Sequence, residues 1–395
     1  WQPHHHRQPS PPPPPRSASA ISCSAATSAN LVSLEGALQV RLRLNAGRIR
    51  QVEIVSTRPD VAQRLLQGRR RADVQAAVPL LFSICGRSQA TCAALACAAA
   101  AGETASTMTL AHARRGVAAE MLREVAWLSL LQWPQRLGET PSAEAVAAAR
   151  LSLTTPPSAT EASQTIAMAT FGMPAAPWLA LETVPDLQAW AHAGHTATAR
   201  FIAQALQAVA GTRAAPAGHA LLPAQVGDGA AADLARALEA DPEFARQPHW
   251  QGAPAETGAL ARHQHQPLMR ALMAHDPTRI TARLLARLRE LALLLLDEHA
   301  VALGALQLPD GGGVAWVENA RGLLLHRVQL DERGQQVLSY RIVAPTEWNF
   351  RPAGPLALGL ADAPVANESA AQGLATRLVH SLDPCVACHV ELAHA

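Results

Sequence analysis

The residues with the most chemical content stand late in the chain, in Asp383-Pro384-Cys385-Val386-Ala387-Cys388. Two cysteines three positions apart can place both sulfurs on one ion, at about 2.3 Å each. Spacing alone leaves zinc, a redox disulfide and a metal cluster open. A closed zinc site needs four ligands, which Cys385, Cys388, His389 and one upstream cysteine would supply. The upstream candidate is Cys85, in Phe82-Ser83-Ile84-Cys85-Gly86-Arg87-Ser88. Gly86 permits a tight turn after the thiol, and Ser88 suits the N-cap of a helix beginning near Gln89. Cys92 then falls in the first turn, where the helix dipole favours a thiolate, although a buried structural cysteine is an equal reading of it. Cys97, inside an alanine run, reads as core.

These cysteines lie at opposite ends of the sequence, so the ends of the ordered part must meet if the thiols are to cooperate. Leu38, Val40, Leu42 and Leu44 alternate, as do Val52 and Ile54 after Ile49, on either side of Asn45-Ala46-Gly47, which predicts a β-hairpin. Helical patterns run over Val61–Leu66, Gln89–Ala101, Ala111–Leu131, Ala143–Leu151, Val184–Val209 and Thr281–Leu303. Pro, Gly and Ala-rich connections at Thr154–Pro157, Ala214–Gly218 and Pro248–Ala255 read as surface loops. A second hairpin is expected from Leu323–Leu330 and Gln335–Val343. No internal repeat is evident. The expected fold class is α+β, predominantly α: one helix-dominated domain over residues 31–395 with small β-hairpins near both ends. Residues 1–30, with His4 to His6 and Pro11 to Pro15, have the composition of a disordered tail, and the three histidines there read as solvated rather than as a metal site.

Composition excludes several classes. A hydrophobic content of 49% over 395 residues supports a real core. All 33 basic residues are arginine, yet 31 acidic residues are interspersed and the formal charge is only +2, so no broad electropositive face for nucleic acid or anionic membrane is implied. Six cysteines are too few for a disulfide scaffold and suit a reducing cytoplasm. The apolar run Leu291–Leu296 is far too short to span a bilayer, so no membrane insertion is expected. No charged segment followed by an apolar stretch opens the sequence, so no secretory signal is expected, and the missing initiator Met suggests a trimmed or misassigned start.

Five segments, in order, carry a resemblance. Ser33-Leu34-Glu35-Gly36-Ala37, the Cys85 segment, Glu318-Asn319-Ala320-Arg321-Gly322-Leu323-Leu324-Leu325-His326, Tyr340-Arg341-Ile342-Val343-Ala344-Pro345-Thr346-Glu347-Trp348-Asn349 and the Cys385 segment resemble the motifs of the nickel-iron hydrogenase large subunit. In that family four cysteines, two in each cysteine motif, hold nickel and iron. Here Cys85, Cys385 and Cys388 match three of them, while Ser88 stands where the metal-bridging fourth belongs. A neutral hydroxyl is a poor ligand for soft nickel-thiolate chemistry. Ser83 replaces the motif arginine, Cys92 the motif histidine, and Glu391 the histidine after which a catalytic precursor is cut. In these departures, and in Cys85-Gly86 and Pro345 to Phe350, the chain is similar to the HupK/HoxV-type hydrogenase expression and formation proteins.

The resemblance implies a non-catalytic accessory protein of hydrogenase maturation. It would be a scaffold or carrier for an iron bearing cyanide and carbonyl, Fe(CN)2(CO), before transfer to the catalytic large subunit. Iron would be bound transiently and nickel not held. The implied ligands are Cys85, Cys385 and Cys388 with Cys92 in reserve, surrounded by Arg321, Asp383, Ser88, Glu35 and His389. Arg321 matches an arginine that overhangs the diatomic ligands. Glu35 matches a proton-relay glutamate, but Ala37 stands where that relay has a histidine. Glu347, Trp348 and Asn349 read as packing and backbone-satisfying residues. The implied partners are the hydrogenase large-subunit precursor and Hyp-type maturation proteins. Two other readings remain at this stage: a catalytic or residual hydrogenase with Ser88 or Cys92 completing the site, and a zinc-stabilised interaction protein.

Overall fold

Alternation decides the first sheet. In the computed structural model, which describes residues 36–58, 61–82, 84–154, 160–209, 219–297 and 300–393, strands β1 (Ala37–Asn45) and β2 (Arg48–Ser56) form the expected antiparallel hairpin. Its turn places Ala46 and Gly47 at φ of 50° and 69°, the left-handed pair that a two-residue hairpin loop demands. Leu38, Val40 and Leu42 point inward and are fully buried. The tail 1–30, Cys23, Glu35, Ser83 and most of the connections at 154–157 and 214–218 lie outside the described residues.

Helix α1 (Gly86–Ala100) starts three residues before the expected Gln89, so Cys85 rather than Ser88 is its N-cap and Cys92 lies in its second turn. Its alanines let it lie almost on a strand backbone: a Cβ at Gly313 would sit 2.3 Å from the Ala96 oxygen and the Ala100 nitrogen. Helix α2 (Thr107–Trp127) is capped by Ser106, whose Oγ accepts from the Thr109 amide at 3.1 Å, and runs into a π-helical turn over Leu128–Gln132. The single helix expected over Val184–Val209 is two, Val184–Ala193 and Ala197–Val209, because Gly194 adopts φ 64° and ends the first.

Helix α3 (Ile280–Leu295) is the central post, buried on nearly every side. Two of its buried charges are paired there: Arg283 Nε donates to Glu256 at 2.7 Å, and Glu290 accepts from Arg262, whose Nε and Nη2 reach it. The stretch to Leu303 expected to continue this helix instead turns into a sheet. Strands β3 (Leu303–Gln307), β4 (Gly313–Asn319), β5 (Gly322–Leu330) and β6 (Val337–Val343) form an antiparallel meander in that order. Only its last hairpin was expected, since β4 is buried at every position and shows no alternation.

The short helix α4 (Pro345–Phe350) follows β6, and α5 (Glu368–Leu382), N-capped by Asn367, leads to strand β7 (Ala387–Leu392). Strand β7 pairs in parallel with β1, Leu38 opposite Cys388, so the two ends of the described chain meet. The described residues belong to one compact unit, predominantly helical with small sheets built from its two ends and its last third. Among them no helix is long and apolar enough to cross a membrane.

Candidate metal centre

Two thiols are brought together from the ends of the chain. Cys85 caps α1 in a buried position, and Cys385 sits in the turn between α5 and β7, close enough that its charge is felt at the Cys85 sulfur. Burial first, then the neighbouring Cys385, Glu124 and Glu120, push the Cys85 thiol far up, against the pull of Arg321. Such a thiol stays protonated until a cation replaces its proton. Cys385 Sγ lies 3.1 Å from Thr346 Oγ1, and that oxygen also accepts from the Cys385 amide at 3.4 Å.

Arg321 lies near the pair. Burial works against its charge, but Asp383, Glu124, Cys385 and Cys85 hold it cationic. It pairs with Glu124 and, at 3.3 Å, with Asp383, while its Nε is buried without a hydrogen-bond partner among the described residues. Asp383 ends α5 at φ 55°. Burial would raise its carboxyl, yet Arg321 and Arg287, followed by Arg136 and His380, bring it below the usual range. Glu124 is pushed up to about 7, chiefly by burial and against Arg321.

Ser88 is turned to a different task. Its Oγ donates to Glu120, its amide donates to the same carboxylate at 3.0 Å, and the Arg87 amide donates at 2.7 Å. Glu120, buried on α2, therefore caps the start of α1, the positive end of the helix dipole, where a carboxyl acceptor is favoured. Cys92 is set apart from the thiol pair. Its sulfur donates to the Ala315 carbonyl at 3.3 Å and accepts from the His326 backbone, fixing α1 to β4 and β5. Burial raises this thiol rather than the helix dipole lowering it, which corrects the first-turn argument. Cys388 is half-buried on β7, its thiol pushed up to about 12 by burial, and His389 follows it on that strand. Among the described residues no three His, Cys, Asp or Glu converge closely enough to cage an ion.

Sequence reasoning passed over Thr346, Gln89, Glu120 and Glu124. The last two had a signal: two carboxylates four apart on one face of a long apolar helix. Of the residues read as packing, Trp348 is buried, Asn349 exchanges hydrogen bonds with the Thr257 backbone at 3.0 and 3.1 Å, and Glu347 pairs with Arg58 at 2.9 Å.

Comparison with known proteins places this arrangement. Residues 257–391, which carry Arg321, Thr346 and both C-terminal cysteines, match the nickel-dependent hydrogenase family model. The chain is 33% identical to the hydrogenase expression/formation protein HoxV of Cupriavidus necator, over 91% of its own length and 97% of that protein's. The chain belongs to the hydrogenase expression/formation protein family. A second member, HupK of Rhizobium leguminosarum bv. viciae, is 31% identical over 87% of this chain and 93% of its own. The fold is that of the hydrogenase large subunit: the Ni-Fe-Se hydrogenase of D. vulgaris Hildenborough superposes with a TM-score of 0.53 at 15% identity, covering 87% of this chain and 94% of that one. Within that fold this chain aligns over nearly its whole length with the expression/formation proteins.

Proposed function

We propose that the protein carries the iron unit Fe(CN)2(CO) on Cys85, Cys385 and Cys388 and passes it to a hydrogenase large-subunit precursor. Residues 31–395 act as a single domain for this purpose, in the cytoplasm, alongside Hyp-type maturation proteins. The observation that carries the reading is the conjunction of Cys85 and Cys385 near Arg321, with Ser88 drawn away into Glu120. Two or three thiolates suit a low-spin iron whose remaining positions are diatomic ligands, but leave nickel without its fourth sulfur. The unpartnered Nε of Arg321 supports an occupant that accepts a hydrogen bond, as a cyanide nitrogen does. An incomplete thiolate set also favours release. Cys388 completes the ligands by moving with β7, which among the described residues only β1 pairs.

The test is metal analysis with infrared spectroscopy on protein purified from a host that has the maturation machinery. Iron with cyanide and carbonyl stretches and little nickel is expected. Near-stoichiometric nickel would replace this reading with a catalytic one. Zinc without those stretches would replace it with a structural one.

A further inference from the structure

His326 closes a sequence motif, yet nothing above gives its side chain a role. It lies fully buried on β5, between two polar neighbours. Its Nδ1 is 2.7 Å from the Tyr340 hydroxyl and its Nε2 is 2.9 Å from Gln89 Oε1. Gln89, also buried, turns its Nε2 to the Cys85 sulfur at 3.7 Å. Four side chains from α1, β5 and β6 thus form one unbroken file ending on the sulfur.

The file has a direction. Burial holds Tyr340 well above its ordinary value, so it keeps its proton, and that buried O–H needs an acceptor. Burial depresses His326 to about 3, so the ring is neutral, with one bare nitrogen and one N–H. The phenol donates to Nδ1, the proton therefore sits on Nε2, and Nε2 donates to the amide oxygen of Gln89. Only the Gln89 N–H2 is then left for Cys85. In the opposite polarity Nδ1–H would donate to the phenol oxygen, leaving the buried phenol proton with no acceptor among the described residues.

We propose that Tyr340, His326 and Gln89 are positioning residues that permanently present an N–H donor to Cys85 and so preset its sulfur as a metal-ligating thiolate. When a soft cation binds, the thiol proton leaves to water and the sulfur can only accept, which this file already satisfies. Cys385 has no such file; its partner is a hydroxyl that can turn either way. The inference concerns the sulfur and holds whichever metal it takes.

Tyr340 is the sequence's one tyrosine, so protein made with ring-labelled tyrosine gives a single assignable NMR signal. Without metal, Cys85→Ala is expected to displace that signal, and the displacement should vanish in a Gln89→Leu or Gln89→Met background. With cadmium ion as probe, read by its thiolate absorption, the parent should show the signal move on binding. Gln89→Leu should bind about tenfold more weakly, the scale of one hydrogen bond to a charged group, without moving the signal. His326→Gln, which keeps a donor and an acceptor, should restore what His326→Phe loses. A tyrosine signal indifferent to Cys85→Ala, or equal cadmium affinity in parent and both Gln89 variants, overturns the proposal. Absence of cadmium binding in the parent would count against the thiolate carrier, and the metal-free comparison would still decide the file.

Discussion

The two cysteine arms differ in how they are held. The first is built into α1, where Glu120 takes the amides of Arg87 and Ser88, Gln89 reaches the Cys85 sulfur and Cys92 is tied to two strands. Each of those partners is buried, and strong hydrogen bonds in a low-dielectric interior fix geometry. The second arm is a turn and an edge strand whose residues alternate between exposed and half-buried, with β1 on one side only. For the proposed carrier, the first half would define where the cargo sits and the second would be the half that can yield. A catalyst gains from two rigid halves; a carrier must also let go.

The strongest way to break this comparison is to remove a sulfur. Cys385→Ala or Cys388→Ala should abolish iron retention and hydrogenase maturation, read by metal content and by activity of the target enzyme. Cys97→Ala should retain both, since Cys97 is core; equal loss for Cys97→Ala would put the site elsewhere. On the rigid side, Glu120→Ala should cost about 2–3 kcal/mol in denaturant unfolding, because it strands two amides and the Ser88 hydroxyl in the interior. Because Glu120 holds residue 88 turned away, Ser88→Cys should tighten metal binding and slow transfer only when Glu120→Gln is added, and a gain from Ser88→Cys alone would show that residue 88 faces the metal.

Acid should separate the arms next. His326 and His380 are depressed by burial to about 3 and about 4, below the 6.5 of the unfolded chain. For groups lowered in the fold, their stability contribution is present above the unfolded value and lost as pH falls through the folded one. Stability should therefore fall between about pH 6.5 and 4, at up to roughly 1.4 kcal/mol per pH unit for each group. His326→Gln should flatten that slope; an unchanged slope would mean the ring is charged in the fold. The smallest effect belongs to the edge strand. Glu391 and Arg41 are 3.8 Å apart and about half exposed, so Glu391→Ala should change stability by less than about 0.5 kcal/mol.

Local patterns were legible and remote ones were not. The first hairpin could be read because a buried face and a left-handed turn both leave marks in adjacent residues. The start of α1 was misplaced because its cap is a carboxylate from another helix, which no local rule can show. Gly194 did carry a legible stop signal, but the apolar spacing on both sides of it masked the break. The cysteine spacing pointed to a thiolate site; that Ser88 faces Glu120 and that Thr346 and Gln89 touch the sulfurs depends on packing between distant segments.

The parallel pairing of β7 with β1 also has a consequence in time. Parallel partners from opposite ends of the chain close the largest loop the fold contains, and loop entropy delays such contacts until the intervening helices have condensed. During synthesis Cys85 is made long before Cys385. The two thiols come together only once the last strand has docked on the first, so this pair forms at the close of folding rather than at its start.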